Sequence, residues 1–236
     1  MKYLLLFLIL CKSSLFARDS AFEKLYGSVN HCYNNDCRKV IGSSFLVEKG
    51  KPKDEYSPDK LQDFKNKNWK ETAWCVSKNQ GIGEYVYIPY WNDESKSGYA
   101  DILKRKDYYV SLTIINGFAK NSDLFIANNR IKKVSIEVQE VAYTMSVAGS
   151  ETIPGTDVKI KDGPLLNSIH EIEFADTMEQ QEFKLKIAPK SRKSEYLEMG
   201  LLFKITLKEI YPGTKYKDTC MSAAMIEMIV PADKKK

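Results

Sequence analysis

Two short phrases in this chain of 236 residues hold side chains that could do recognition chemistry. Asn128-Asn129-Arg130 sets two amides beside a guanidinium. Amides both donate and accept, and the guanidinium supplies a fork of donors, a combination suited to the hydroxyls of a sugar. After the turn Tyr211-Pro212-Gly213, Lys215, Tyr216 and Asp218 bring a cation, a phenol and a carboxylate close together in sequence, which suits a polar ligand. Structural roles compete with these readings. Turn asparagines usually satisfy backbone groups, Arg130 could pair with Asp123 or Asp218 to pin loops, and Asp218 could accept from Lys215 or Arg130 while Tyr216 covers the core.

Of the three tryptophans, Trp69 in a charged stretch and Trp91 in a polar one could offer flat faces to the apolar side of a pyranose. Trp74 adjoins Cys75 and reads as a core indole packed on a disulfide. Catalytic chemistry is poorly represented. His31 and His170 are the two histidines, and the sequence holds no Gly-x-Ser-x-Gly elbow, His-Glu-x-x-His helix or paired zinc cysteines. A carboxylate pair could still hide among the many Asp and Glu, since sequence does not show their separation. The expectation is a binding module rather than an enzyme, with no cofactor. Asp63 and Asp123 are conceivable contributors to a structural calcium, but no calcium-loop motif assigns one.

These side chains need elements to position them, and the chain supplies strands. Residues 1–17 have a signal-peptide pattern: Lys2, then an apolar run from Leu4 to Leu10, then polar residues up to Ala17. The run is too short to span a bilayer as a permanent helix. Cleavage near Ala17 would send the mature chain outside the cytoplasm, as a secreted, periplasmic or envelope protein. Lipidation at Cys11 is the minor alternative and would bring a membrane into play, although the bulky Leu10 is unsuited to that processing. Cleavage would also remove Lys2 and Lys12 and drop the formal charge from +5 to +3, which is no nucleic-acid signature.

Cys32, Cys37, Cys75 and Cys220 remain, an even number suited to disulfides in an exported chain. A short loop favours Cys32 with Cys37. Cys75 with Cys220 then follows and would close most of the chain, contributing about 4 to 5 kcal/mol by loop entropy. Four unpaired cysteines are the alternative.

Residues 18–42 form a short mixed extension with apolar residues at roughly helical spacing. From residue 43 onward, short runs rich in Val, Ile, Tyr, Phe and Thr alternate with Gly, Pro, Asn and Asp, the pattern of an all-β sandwich over 43–231. The clearest strands are 84–88, 108–115, 131–137, 170–174, 181–187, 201–210 and 221–230. Residues 90–107 and 145–167 read as surface insertions, loops or small hairpins, and 232–236 as a basic tail.

Several phrases, in order, resemble the discoidin-like domain of the NAD glycohydrolase translocation family, a relative of coagulation-factor C-type domains. They are Ser43-Ser44-Phe45-Leu46, Tyr56-Ser57-Pro58, Thr72-Ala73-Trp74-Cys75, Gly81-Ile82-Gly83-Glu84, Ile115-Asn116-Gly117-Phe118-Ala119-Lys120, Asn128-Asn129-Arg130-Ile131-Lys132, Asp176-Thr177-Met178, and Tyr211-Pro212-Gly213 with Lys215-Tyr216 and Asp218-Thr219-Cys220. The resemblance implies a jelly-roll β-sandwich that binds glycans through rim loops and, in toxin relatives, helps a catalytic domain reach its target cell. No catalytic domain is expected in this chain.

Within those phrases, Asn116, Lys120, Asn128, Asn129, Arg130, Lys215, Tyr216 and Asp218 join Trp69 and Trp91 as glycan-binding candidates, and Trp69→Ala or Arg130→Ala is expected to weaken binding. Gly117 is expected to shape a turn with positive φ. The chain departs from the family pattern at Met221-Ser222-Ala223-Ala224, where an acidic residue would be usual. A protein-binding adhesin or envelope domain is the alternative function.

Overall fold

A computed structural model describes residues 40–62, 69–90, 108–148, 155–160, 165–187 and 198–229. Residues 1–17, expected to be a signal peptide, and Cys32, Cys37, Asp63, Trp91 and residues 232–236 lie outside the described residues. So does most of the 18–42 extension.

The β-rich patterning is realised as two layers. One holds β1 (Ile41–Gly42), β3 (Tyr85–Tyr90), β9 (Glu198–Tyr211), β5 (Asn129–Ala148) and β7 (Leu165–Glu173), paired antiparallel in that order. The other holds β2 (Trp74–Val76), β10 (Thr219–Ile229), β4 (Tyr108–Asn116) and β8 (Gln180–Ile187), also antiparallel. A short parallel contact, Thr219 with Asn129 and Cys220 with Arg130, joins the layers at one edge.

Alternation decides which side chains go inside. In β9 Leu201, Phe203, Ile205 and Leu207 point to the core, and in β8 Leu185 and Ile187 do so while Lys184 and Lys186 face water. These residues meet Val110, Leu112, Ile114, Met221, Val134, Ile136 and Val138 in one buried cluster drawn from both sheets.

The seven expected strands are all present, several of them longer. β5 runs on to Ala148 and pairs with β6 (Gly155–Ile160), so within the 145–167 insertion residues 145–148 and 155–160 belong to a paired set of strands, while 165–167 already belong to β7. The sandwich also begins before residue 43: Val40 is buried, and Ile41 pairs with Tyr87.

A helix was not foreseen after residue 43. Nevertheless α1 (Ser122–Ala127) forms, with the Asn121 side chain accepting from the Leu124 N–H as its N-cap. Trp74 is a core indole, donating to the Ser44 carbonyl at 3.0 Å, but it is not packed on the disulfide. Successive residues of a strand face opposite ways, so Trp74 points into the main core while Cys75 joins Ala73 and Cys220 in a separate cluster.

One carboxylate fastens the start of the sandwich. Glu84 accepts from the Ser43 hydroxyl at 2.6 Å and the Ser44 hydroxyl at 2.5 Å, and lies 3.4 Å from the Lys78 ammonium. Burial pushes its carboxyl up, but the two hydroxyls and Lys78 outweigh that and hold it below the usual range. Its contribution is therefore present above the unfolded carboxylate pKa of about 4.3 and is lost as pH falls through the depressed folded value. Glu84→Gln is expected to flatten the acid limb of stability against pH, measured by urea denaturation at a series of pH values. An unchanged acid limb would contradict the assignment.

Candidate functional site

Several of the described connections meet at one rim of the sandwich. The β4–β5 connection carries α1, the β9–β10 loop spans residues 212–218, and the chain between β1 and β2 lies beside them. Backbone hydrogen bonds lock the walls: Leu46 N–H to the Cys75 carbonyl at 2.7 Å, Cys75 N–H to the Tyr56 carbonyl at 3.3 Å, and Tyr216 N–H to the Ala127 carbonyl at 2.8 Å. Cys75 and Cys220 are directly opposed across β2 and β10, with Cα atoms 4.1 Å apart, and they form the expected disulfide.

Between these walls lies a cleft of about 400 Å³, within the range of small-ligand sites. Its apolar surface comes from Leu46, Leu124, Tyr56, Phe118 and Tyr216, and Cys75 lines it as well. Tyr56 and Phe118 meet edge to face at 6.2 Å, and Tyr216 is 39% exposed with the Lys215 ammonium 4.9 Å over its ring.

The polar lining is mostly acidic: Glu48, Glu55, Glu71 and Asp218 against Lys51 and Lys120, with Asn128 at one side. Lys120 pairs with Glu71 at 3.0 Å. Tyr56 donates to Glu48 at 3.0 Å, and burial, then this bond and nearby carboxylates, push its phenol up to about 12. Burial also raises the Asp218 carboxyl above its ordinary range, and the Glu48 charge adds to the push.

The sequence candidates therefore separate into two groups. Lys120, Asn128, Tyr216 and Asp218 reach the cleft, with Lys215 beside it over Tyr216. The rest of the described candidates are committed elsewhere. Asn116 is fully buried: its side-chain oxygen accepts from the N–H groups of Gly117 and Ile131, and its amide donates to the Ile131 carbonyl at 2.7 Å. Gly117 has φ 65°, and a Cβ there would strike the Phe125 ring at 2.6 Å, so backbone shape and space both call for glycine.

Asn129 accepts from the Gly213 N–H at 2.7 Å and donates to the Lys217 carbonyl at 2.8 Å, tying β5 to the β9–β10 loop. Asn128 lines the cleft but spends its amide on the Leu124 carbonyl. Trp69 packs with Met178 against Ile115, Ala119 and Ala223.

Arg130 pins loops, but not through Asp123 or Asp218. The residue is 8% exposed, and its guanidinium forks onto Asp176 at 2.9 and 2.7 Å and donates to the carbonyls of Asn128 and Pro212. Sequence alone could not supply this partner, because Asp176 comes from the β7–β8 turn, which only the folded sandwich brings to the same rim.

Tyr56, Phe118, Glu48, Glu55 and Glu71 were missed as site residues. The signal for two of them lay in Tyr56-Ser57-Pro58 and in Phe118 of the 115–120 phrase, where an aromatic stands in a turn-rich stretch with little strand patterning to demand it.

His31 lies outside the described residues, and His170 sits within β7, its ring 3.0 Å from the Ser168 hydroxyl. Among the described residues no cluster of His, Cys, Asp and Glu could hold a metal. Asp123 lies in the first turn of α1.

A search of curated proteins returned no match. A family model described as the NAD glycohydrolase translocation F5/8 type C domain matches residues 32–227, most of the chain. With its two-layered antiparallel sandwich and rim loops, the chain belongs to the NAD glycohydrolase translocation F5/8 type C domain family, and its fold is discoidin-like.

Proposed function

We propose that the chain is an exported, non-catalytic carbohydrate-binding domain that seats a glycan in the rim cleft. The observation that carries this reading is the lining of the cleft: the aromatic side chains of Tyr56, Phe118 and Tyr216 interleaved with carboxylates. Aromatic faces take the apolar side of a pyranose and carboxylates accept from its hydroxyls. Tyr216, Phe118, Lys120 and Asp218 are the ligand residues, with Lys215 at the edge. Arg130, Asn116 and Asn129 serve by holding the loops in register. Export is supported by the apolar run of residues 4–10 and by the disulfide, which persists in oxidising compartments.

A glycan array probed with the purified mature chain tests this reading. Tyr216→Ala or Phe118→Ala is expected to weaken binding about tenfold or more, the loss of one aromatic stacking contact. Retention of full binding by both variants would remove the cleft from consideration. A protein partner is the second reading, favoured by the exposed Phe45, Val47, Ile82 and Ile126. It gains support if the array is silent while a Val47→Asp variant loses capture of an envelope protein.

A further inference from the structure

The charge of the cleft narrows the class of sugar. Once Lys120 is paired to Glu71, Lys51 in the lining and Lys215 at the edge over Tyr216 are left against Glu48, Glu55 and Asp218, three carboxylates to two ammoniums. Glu48 already accepts from the Tyr56 hydroxyl. No donor among the described residues reaches the Asp218 carboxylate, which instead feels the repulsion of Glu48. The two carboxylates line one partly desolvated cleft beside aromatic side chains, close enough for the charge of one to be felt at the other, with a surplus of negative charge around them. A sialylated, uronic or sulfated sugar would add charge of the same sign and be repelled. A cation placed there would relieve the repulsion and also find the ring faces favourable to positive charge.

We propose that the cleft selects glycans bearing a free amino group, that is 2-amino-2-deoxy sugars, with the ammonium held between Asp218 and Glu48 and the pyranose ring packed on Tyr216. This deepens the carbohydrate-binding reading and rests on it. The amine supplies up to three donors, so it can satisfy both carboxylates at once, whereas an N-acetylated sugar offers one amide N–H and no charge.

The test is isothermal titration of the full mature chain, disulfide intact, at about pH 6, where an amine of α-amino basicity is protonated. The probes are a glucosamine oligomer, its N-acetylated counterpart, a uronic acid oligomer and spermidine. The glucosamine oligomer is expected to bind about tenfold more tightly than its acetylated twin, the gain from one additional charge-assisted contact. That preference should shrink with added salt and vanish in Asp218→Asn and in the more exposed Glu48→Gln variant. The uronic acid oligomer should bind weakest.

Equal or tighter binding of the acetylated oligomer would overturn the proposal and leave the carbohydrate-binding reading standing. An amine preference unaltered in both variants would overturn it too. Spermidine binding as tightly as the sugar would show that an amine alone is read, which overturns the sugar half. Silence toward every saccharide would take down the proposal and the reading together.

Discussion

Replacing Cys75 and Cys220 together by alanine is expected to lower the midpoint of thermal unfolding by roughly 10 °C or more. The bond spans 145 positions of sequence, and closing a loop of that size removes about 5 kcal/mol of unfolded-state freedom in the entropy model, near the top of the range for single disulfides. Structure in the unfolded ensemble would lower that figure.

Alanine is the right replacement because both sulfurs are buried against Ala73 with Leu46, Tyr56 and Phe118 alongside, and serine would leave hydroxyls in an apolar setting. Cys75, Leu46, Tyr56 and Phe118 also line the cleft, so on the carbohydrate-binding reading proposed above the variant should bind glycan more weakly at temperatures where it is still folded. Differential scanning calorimetry reads the first effect, and non-reducing peptide mapping should recover the peptides of Cys75 and Cys220 joined. Peptides alkylated separately, or a midpoint unmoved by the double substitution, would contradict the placement of β2 against β10.

Arg130→Ala is expected to cost about 3 to 4 kcal/mol of folding stability. Four donors are lost: two to the Asp176 carboxylate and one each to the carbonyls of Asn128 and Pro212. A hydrogen bond to a charged partner contributes about 1.5 to 3 kcal/mol and a buried orphaned carbonyl costs about 1 to 3 kcal/mol. Asp176 is itself 37% exposed at the side chain and recovers water once Arg130 is gone, which keeps the total below the simple sum.

Arg130→Lys should rescue little, because an ammonium cannot reproduce the fork. Urea unfolding at constant m-value reads the loss, and the glycan affinity of the folded fraction should fall only modestly. Wild-type stability with abolished binding would instead place the guanidinium at the ligand.

Residue periodicity carried most of the fold. The alternation in β8 and β9 and the turn residues between strands mark two-sided sheets, and a period-2 pattern survives changes in the neighbouring strand. Strand ends were less legible. β5 continues beyond residue 137 because β7 and β9 stay paired with it as far as Glu140 and Tyr143, after which β6 takes over, and such long-range pairing leaves little local trace. The six residues of α1 escaped because a helix of under two turns never repeats its period, although Asn121-Ser122-Asp123 is a capping signal.

The candidate site was half visible for a related reason. Polar type and position in a turn flag Asn116 and Tyr216 alike, yet one is fully buried and the other is 39% exposed. What distinguishes them is which backbone groups lie within reach, and that depends on the end of β4 in one layer meeting the start of β5 in the other, where the Asn116 side chain bonds the backbone of Ile131. The acidic wall was hidden because Glu48, Glu55 and Glu71 come from the chain before β2 and Asp218 from the last loop, and it takes the folded pairing of β2 with β10, backbone bonds to Cys75 and the disulfide to bring these stretches together.

The cleft's role as the ligand site is tested most directly by nuclear magnetic resonance of the isotope-labelled mature chain during titration with a glycan. Amide shifts should concentrate at Leu46, Phe118, Lys120, Tyr216 and Asp218, with Lys184 and Lys186 on the outer face of β8 and the β5–β6 hairpin unmoved. Shifts confined to that hairpin or to the outer sheet faces, with the cleft silent at saturation, would contradict it.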